Sequence, residues 1–262
     1  MRALSTAATG MAAQEMNVEV ISNNIANMNT IAYKRQRAEF SDLLYQDMER
    51  AGSQSSDAGT IVPTGIQIGS GVKAGSVYRI TQQGSTTQTG NQLDLAIQGR
   101  GYFQVQMPSG ETAYTRAGNL SVNNTGQLVT DQGYPILPQV TIPTDATAVT
   151  ISTTGQIQAT QPGATTPAQV GQLQLATFVN EAGLEAMGDN LFEVSGASGP
   201  AVTANPGTSG VGTVLQGYTE ASNVDAVSEI TNLITAQRAY EMNSKVITTA
   251  DQMLSTASQV KS

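Results

Sequence analysis

The sequence predicts an α+β fold. A long helix at each end of the chain pairs with the other as a coiled coil, and a central, mainly antiparallel β domain lies between them. Three observations predict it. Apolar residues recur at heptad spacing near the N-terminus, a second apolar-periodic stretch fills the C-terminus, and Pro and Gly concentrate in residues 61–220.

The first 30 residues contain no Pro. Leu4, Met11, Val18 and Ile25 fall seven apart, and Ala7, Gln14, Ile21 and Met28 follow three positions later. These two rows are the a and d seam of a heptad helix, broken only by Gln14. Such a helix is about 45 Å long. Asn27 and Asn29 are suited to end it.

At the C-terminus, Ser222 and Asp225 form an S-x-x-D capping pattern ahead of the apolar run. Val227, Ile230, Leu233, Ile234, Tyr240, Ile247 and Leu254 mark one face, and Met242, Val246, Ala250, Met253, Ala257 and Val260 a neighbouring one. Together they exceed one narrow seam, so this helix is expected to touch several partners. Apolar surface left over after the two ends pair must be covered by other copies of the chain, and periodicity alone equally allows two core-packed helices of an ordinary α+β domain.

The middle reads as β structure. Phe103, Val105 and Met107 alternate into the turn Pro108-Ser109-Gly110. Leu120 and Val122 alternate into Asn123-Asn124-Thr125-Gly126, with Leu128 beginning the return. Leu173, Leu175 and Thr177-Phe178-Val179 suggest later strands. Residues 46–65 and 196–213 are polar and turn-rich, and read as extended loops. The expected division is 1–35 with 222–262 as a discontinuous helical coiled-coil domain. Residues 36–85 with 213–221 form a connecting segment holding an extended loop or hairpin, and 86–212 form the central β domain.

Composition narrows the function. Net charge is −8, so neither nucleic acid nor an anionic membrane is an expected main partner. There is no Cys and no His, which removes thiolate and imidazole nucleophiles, bases and metal ligands. No catalytic constellation stands out, and no enzyme activity, cofactor or metal is expected. No run approaches the roughly 18 apolar residues of a membrane span. The first residues, MRALSTAATGMAAQEM, do not read as a cleavable secretory signal.

Three segments resemble the flagellar rod and hook axial family. The first is Ile21-Ser22-Asn23-Asn24-Ile25-Ala26-Asn27-Met28-Asn29-Thr30, followed by Ala32-Tyr33-Lys34-Arg35. The second is Asp94 to Phe103, similar to the start of that family's β domain. The third runs from Gly217-Tyr218 through Ser222-Asn223-Val224 to Gln237-Arg238-Ala239-Tyr240-Glu241-Met242-Asn243 and Asp251-Gln252-Met253-Leu254. Ile31 and Ala32 depart from the pattern, standing where small or glycine residues are common.

Within the family, residues 36–72 resemble the distal-rod branch most. The polar stretch, with Gln46, Gln54, Ser55, Ser56, Pro63 and Gly65, resembles the segment associated there with a straight, stiff shaft. The resemblance implies a subunit that polymerises with many copies of itself into a torque-bearing tube in the periplasm, around an export channel. The implied partners are the proximal rod and hook proteins, the P-ring and L-ring, and the flagellar type III export apparatus. It further implies that Leu4, Met11, Val18, Ile21, Ile25, Met28, Ile230, Leu233, Ile234, Tyr240, Val246, Ile247, Met253 and Leu254 serve assembly. The family-motif residues are Asn23, Asn24, Ala26, Asn27, Asn29, Lys34, Arg35, Arg238 and Tyr240. A proximal rod or hook subunit, or a secreted coiled-coil adhesin, are the alternatives.

Overall fold

A computed structural model describes residues 2–49, 64–163, 166–208 and 210–261. The chain divides into two compact units. One comprises residues 1–26, 36–78 and 225–262, and the other residues 27–35 and 79–224.

The first unit holds both end helices. α1 is Arg2–Ala26 and α2 is Ala226–Lys261, 25 and 36 residues long. α1 carries Ala at six positions (3, 7, 8, 12, 13 and 26), and alanine is the strongest helix former. α1 stops at Ala26, where the Asn27 carbonyl accepts from the Thr30 amide at 3.1 Å and Asn27 Oδ1 accepts from the Thr30 hydroxyl at 3.1 Å. α2 begins on Asp225, whose carboxylate accepts from the Val227 amide at 3.3 Å and the Ser228 hydroxyl at 2.5 Å. The cap is therefore Asp225 alone. Ser222, expected to share it, instead accepts from the Val224 amide at 3.3 Å.

Two contacts fix the relation of the helices. Asn24 meets Glu229, and the side chain of Asn243 fills the space that a Cβ on Gly10 would enter, 2.9 Å away. Advancing along α1 retreats along α2, so the pair is antiparallel.

The same unit carries four strands: β1 (Gln36–Asp42), β2 (Tyr45–Glu49), β3 (Ile66–Gly69) and β4 (Val72–Arg79, its last residue in the other unit). β1 pairs with β4, and β2 pairs antiparallel with β3. Part of the expected 46–65 loop is thus strand: Gln46 lies opposite Ile68. Tyr45 and Met48 are three apart, so β2 carries no apolar alternation, and its pairing with β3 is what defines it as strand.

The second unit is β-rich. Its first strands are β5 (Thr86–Gln88), β6 (Leu95–Gln98), β7 (Tyr102–Gln106), β8 (Thr112–Thr115), β9 (Ser121–Val122), β10 (Leu128–Val129) and β11 (Ile136–Leu137). β12 (Ala148–Ile151), β13 (Gln156–Thr160) and β14 (Ala168–Gln172) make a three-stranded antiparallel sheet. Then come β15 (Leu175–Thr177), β16 (Glu185–Gly188), β17 (Leu191–Glu193), β18 (Val202–Ala204), β19 (Thr213–Gln216) and β20 (Tyr218–Glu220). The largest sheet has the order β16-β17-β8-β7-β15-β18, with β11 also on β7, and every pair in it is antiparallel. β18 lies within 196–213, so that stretch is not loop throughout.

The β7 strand is buried on both faces. Phe103 joins Leu95, Ile97, Leu175 and Ile157 in the main core, while Tyr102 packs edge-on against Phe178 and Phe192 on the other side. Full burial of a side chain such as Phe103 contributes about 1.5–3 kcal/mol.

Gly118 shows how closely this unit is built. The Leu95 amide donates to the Gly118 carbonyl at 2.8 Å, and a Cβ on Gly118 would stand 1.6 Å from the Leu95 carbonyl oxygen. Backbone, not a movable side chain, occupies that space. Gly118→Ala is expected to lower the urea midpoint by the equivalent of about 3 kcal/mol or more, the range of severe steric lesions. An unchanged midpoint would refute the close approach.

Candidate assembly surface and a buried polar cluster

In the second unit, residues 27–35 are held against the strand leading to α2. Glu220, at the end of β20, is fully buried. One carboxylate oxygen accepts from Lys34 Nζ and, at 2.9 Å, from the Gly84 amide. The other accepts from Arg116, with Nη2 at 2.8 Å and Nε at 2.9 Å. Arg116 also donates to the carbonyls of Ile97, Gly99 and Gly101 at 2.9–3.3 Å, and Lys34 to that of Gln82 at 3.0 Å. Each cationic partner of the buried acid is therefore itself held by backbone acceptors. Burial and the nearby Arg116 cation push the Lys34 ammonium below the ordinary lysine range, against the pull of Glu220.

Asn223 repeats the theme without charge. Its Oδ1 accepts from the Arg35 amide at 2.7 Å, and its Nδ2 donates to the carbonyls of Ile80 and Gln82, both at 2.9 Å. Ala32 donates its amide to the Glu220 carbonyl at 2.8 Å with a φ of +57°. A left-handed φ favours glycine, which gives a backbone reason for small residues at this point.

In the first unit, Asn24 is buried and acts as a surrogate strand. Its Oδ1 accepts from the Gln36 amide and its Nδ2 donates to the Gln36 carbonyl, each at 2.8 Å, and Nδ2 also reaches Glu229 at 3.2 Å.

The predicted site residues fall into distinct places. Ile21 and Asn24 are buried, as is Lys34, whereas Leu4, Met11, Val18, Ile25, Asn27, Leu233 and Ile247 are half-buried and so is Arg35. Asn23, Ala26, Met28, Asn29 and Arg238 are exposed. Ile230, Ile234, Tyr240, Val246, Met253 and Leu254 are exposed as well, together with Met242, which is 64% exposed. Ala3, Met242, Val246, Thr249, Ala250 and Met253 line an apolar groove along the helix pair. Val227, Ile230 and Ile234 form a stripe on the first part of α2. Met242, Val246 and Met253 form another, displaced by about a third of a turn. The β2–β3 hairpin is likewise apolar outside: Tyr45, Met48, Ile66 and Ile68 are exposed, and Leu44 before it is 87% exposed. Gln46 is exposed and Gly65 half-buried, while Gln54, Ser55, Ser56 and Pro63 lie outside the described residues.

Sequence reasoning passed over Glu220, Arg116 and Glu229. In the sequence Asn223 stands out only within the third family-like segment. A buried acid gives no periodic signal, and the cationic partners of Glu220 are 104 and 186 positions distant.

Paired end helices with apolar side chains turned outward are what a self-associating structural chain presents. Comparison with known proteins specifies which. Residues 4–34 match the family described as "Flagella basal body rod protein". Residues 96–159 match "Flagellar hook protein FlgE/F/G D1 domain", and residues 215–260 "Flagellar basal body rod FlgEFG protein C-terminal". Flagellar basal-body rod protein FlgG of Caulobacter vibrioides is 68% identical over 262 residues, covering 100% of both chains. The FlgG protein of Agrobacterium fabrum is 54% identical over 259 residues, 99% of each chain. That of Buchnera aphidicola subsp. Schizaphis graminum is 47% identical over 252 residues, 96% of each. The chain belongs to the flagellar basal-body rod protein family and is a structural component of the flagellar basal body.

Proposed function

We propose that this chain is the distal-rod subunit, polymerising into a straight, rigid helical tube that carries torque through the periplasm to the hook and encloses the export channel. The observation that carries this reading is the outward apolar surface of α2, continued on a separate hairpin. Apolar area of this kind on a water-exposed helix is stabilised only when another molecule covers it. The two stripes differ in azimuth, which supports more than one neighbour per helix. Contacts between unlike faces do not close on themselves and generate an open helical array.

In this reading α1 and α2 supercoil as a coiled coil. Residues 1–35 and 222–262 form the assembly domain, 36–85 and 213–221 the connecting segment, and 86–212 the β domain. The segment from Gln46 to Gly65 stiffens the shaft by filling space between stacked neighbours. Proximal rod and hook proteins cap the two ends, and the P-ring and L-ring surround the tube. Export is by the flagellar type III apparatus without a cleaved signal.

The test is antibody-gold labelling of purified hook-basal bodies. Gold on the straight shaft between the outer rings is the expected result. Gold on the curved hook or the inner shaft would reassign the chain to another axial position, and unlabelled intact particles with a validated antibody would reject the axial reading.

A further inference from the structure

The fully buried apolar side chains of α1 and α2 are mostly alanines. α1 buries Ala7, Ala13, Val20 and Ile21, and α2 buries Ala236 and Ala250. Small residues interlock weakly, so such a face discriminates poorly between alignments that differ by one heptad. Two contacts nonetheless mark a single alignment. From Gly10 to Asn24 is fourteen residues along α1, and from Asn243 back to Glu229 is fourteen along α2. Both contacts therefore belong to the same antiparallel register, two heptads apart.

We infer that Glu229 is the register-setting residue of the helix pair, its buried carboxylate selecting the one alignment in which it meets Asn24. The geometry of Asn24 makes it a prepared donor. Both polar atoms of its amide are fixed by the backbone of Gln36, and Nδ2 also points to Glu229. A buried carboxylate is tolerated only where donors are aimed at it. Sliding α2 by seven residues in one direction sets Asn24 against Ala236 and carries Glu229 past the end of α1 at Ala26. Sliding it the other way sets Glu229 against Asn17 but carries Asn24 past the start of α2 at Ala226. Either move separates the acid from its prepared donor. A single buried polar residue in an apolar helix seam is known to fix alignment in this manner, at some cost in stability. The inference goes beyond the distal-rod reading and does not depend on it, because the device lies within one chain.

The chain has no Cys, so spin labels can be placed cleanly. With labels on Ser5→Cys and Thr231→Cys of the full-length protein, pulsed electron-paramagnetic resonance reads the axial offset of the helices. A single distance is expected with Glu229 intact. Glu229→Leu should add a second population displaced by about 10 Å, one heptad of rise. Its share should climb by about tenfold or more over the native background. Glu229→Gln keeps an acceptor for Asn24 and should restore the single distance. Two distances already present with Glu229 intact, or one unchanged distance in Glu229→Leu, would overturn the inference. Helicity by circular dichroism accompanies each measurement, with Glu229→Ala as a second variant. Loss of helicity in both apolar variants would make Glu229 necessary for the pair itself, not for its alignment, and would also overturn it.

Discussion

Glu220→Ala is expected to cost the β unit about 3–5 kcal/mol, the range for removing one partner from a buried ion pair. Lys34 and Arg116 are 3% and 4% exposed, and both would lose their anion without gaining water. Whole-domain stability is typically about 5–15 kcal/mol, so this one change removes a large share of it. The chain has no Trp, and the edge-packed Tyr102, Tyr114 and Phe178 supply the near-ultraviolet signal for thermal unfolding.

Charge, not shape, should dominate the loss. Glu220→Gln keeps the size and one acceptor and should still destabilise strongly. Adding Lys34→Met to it removes one stranded cation and should recover part of the stability. The acidity change has a definite sign. Without Glu220 the main influences that raise Lys34 are gone, and burial and the Arg116 cation lower it further against Glu181 alone. The unfolded chain holds that proton up to its ordinary value near 10.4, so wherever the folded state has lost it, stability climbs with pH. Equal midpoints for Glu220→Gln and the native protein at pH 7 would refute the account.

The two end helices were legible because their information is local. Leu4, Met11, Val18 and Ile25 repeat within a few turns, and one helix face collects them whatever the rest of the chain does. The 123–126 turn was legible for a similar reason: Asn123 and Gly126 set the chain reversal, and β9 meets β10 across it. The hairpin of β2 and β3 was less so. Its strands are polar and apolar in mixed order, and both sides are exposed, so neither face produces the alternation that burial imposes. The buried polar cluster was not legible at all. Glu220 sits among Thr219 and Ala221 with no sequence mark of burial, and its role exists only after the fold brings Lys34, Gly84 and Arg116 to it. Glu229 escaped notice because a search for apolar periodicity skips an acid lying between Val227 and Ile230.

Charging the outer stripe of α2 should leave the single chain intact and stop assembly. Ile234 and Val246 are close to half exposed, and neither belongs to a buried cluster. Ile234→Lys and Val246→Lys keep a side chain compatible with a helix, so helicity and thermal midpoint should move little. In an assembled array the same positions would be covered. Each would forfeit about 1.5–3 kcal/mol of apolar burial and add the cost of burying an ammonium. Every 1.4 kcal/mol raises the concentration needed for association tenfold, so a single substitution should raise it by about tenfold or more. In cells the expected result is a normal level of the chain, truncated basal bodies and loss of swimming in soft agar. Ile234→Leu and Val246→Leu, which conserve the apolar surface, should swim normally. Native-length rods and full motility in the lysine variants would mean that these stripes face water in the assembly. The outward surface would then have to be explained without a neighbouring subunit.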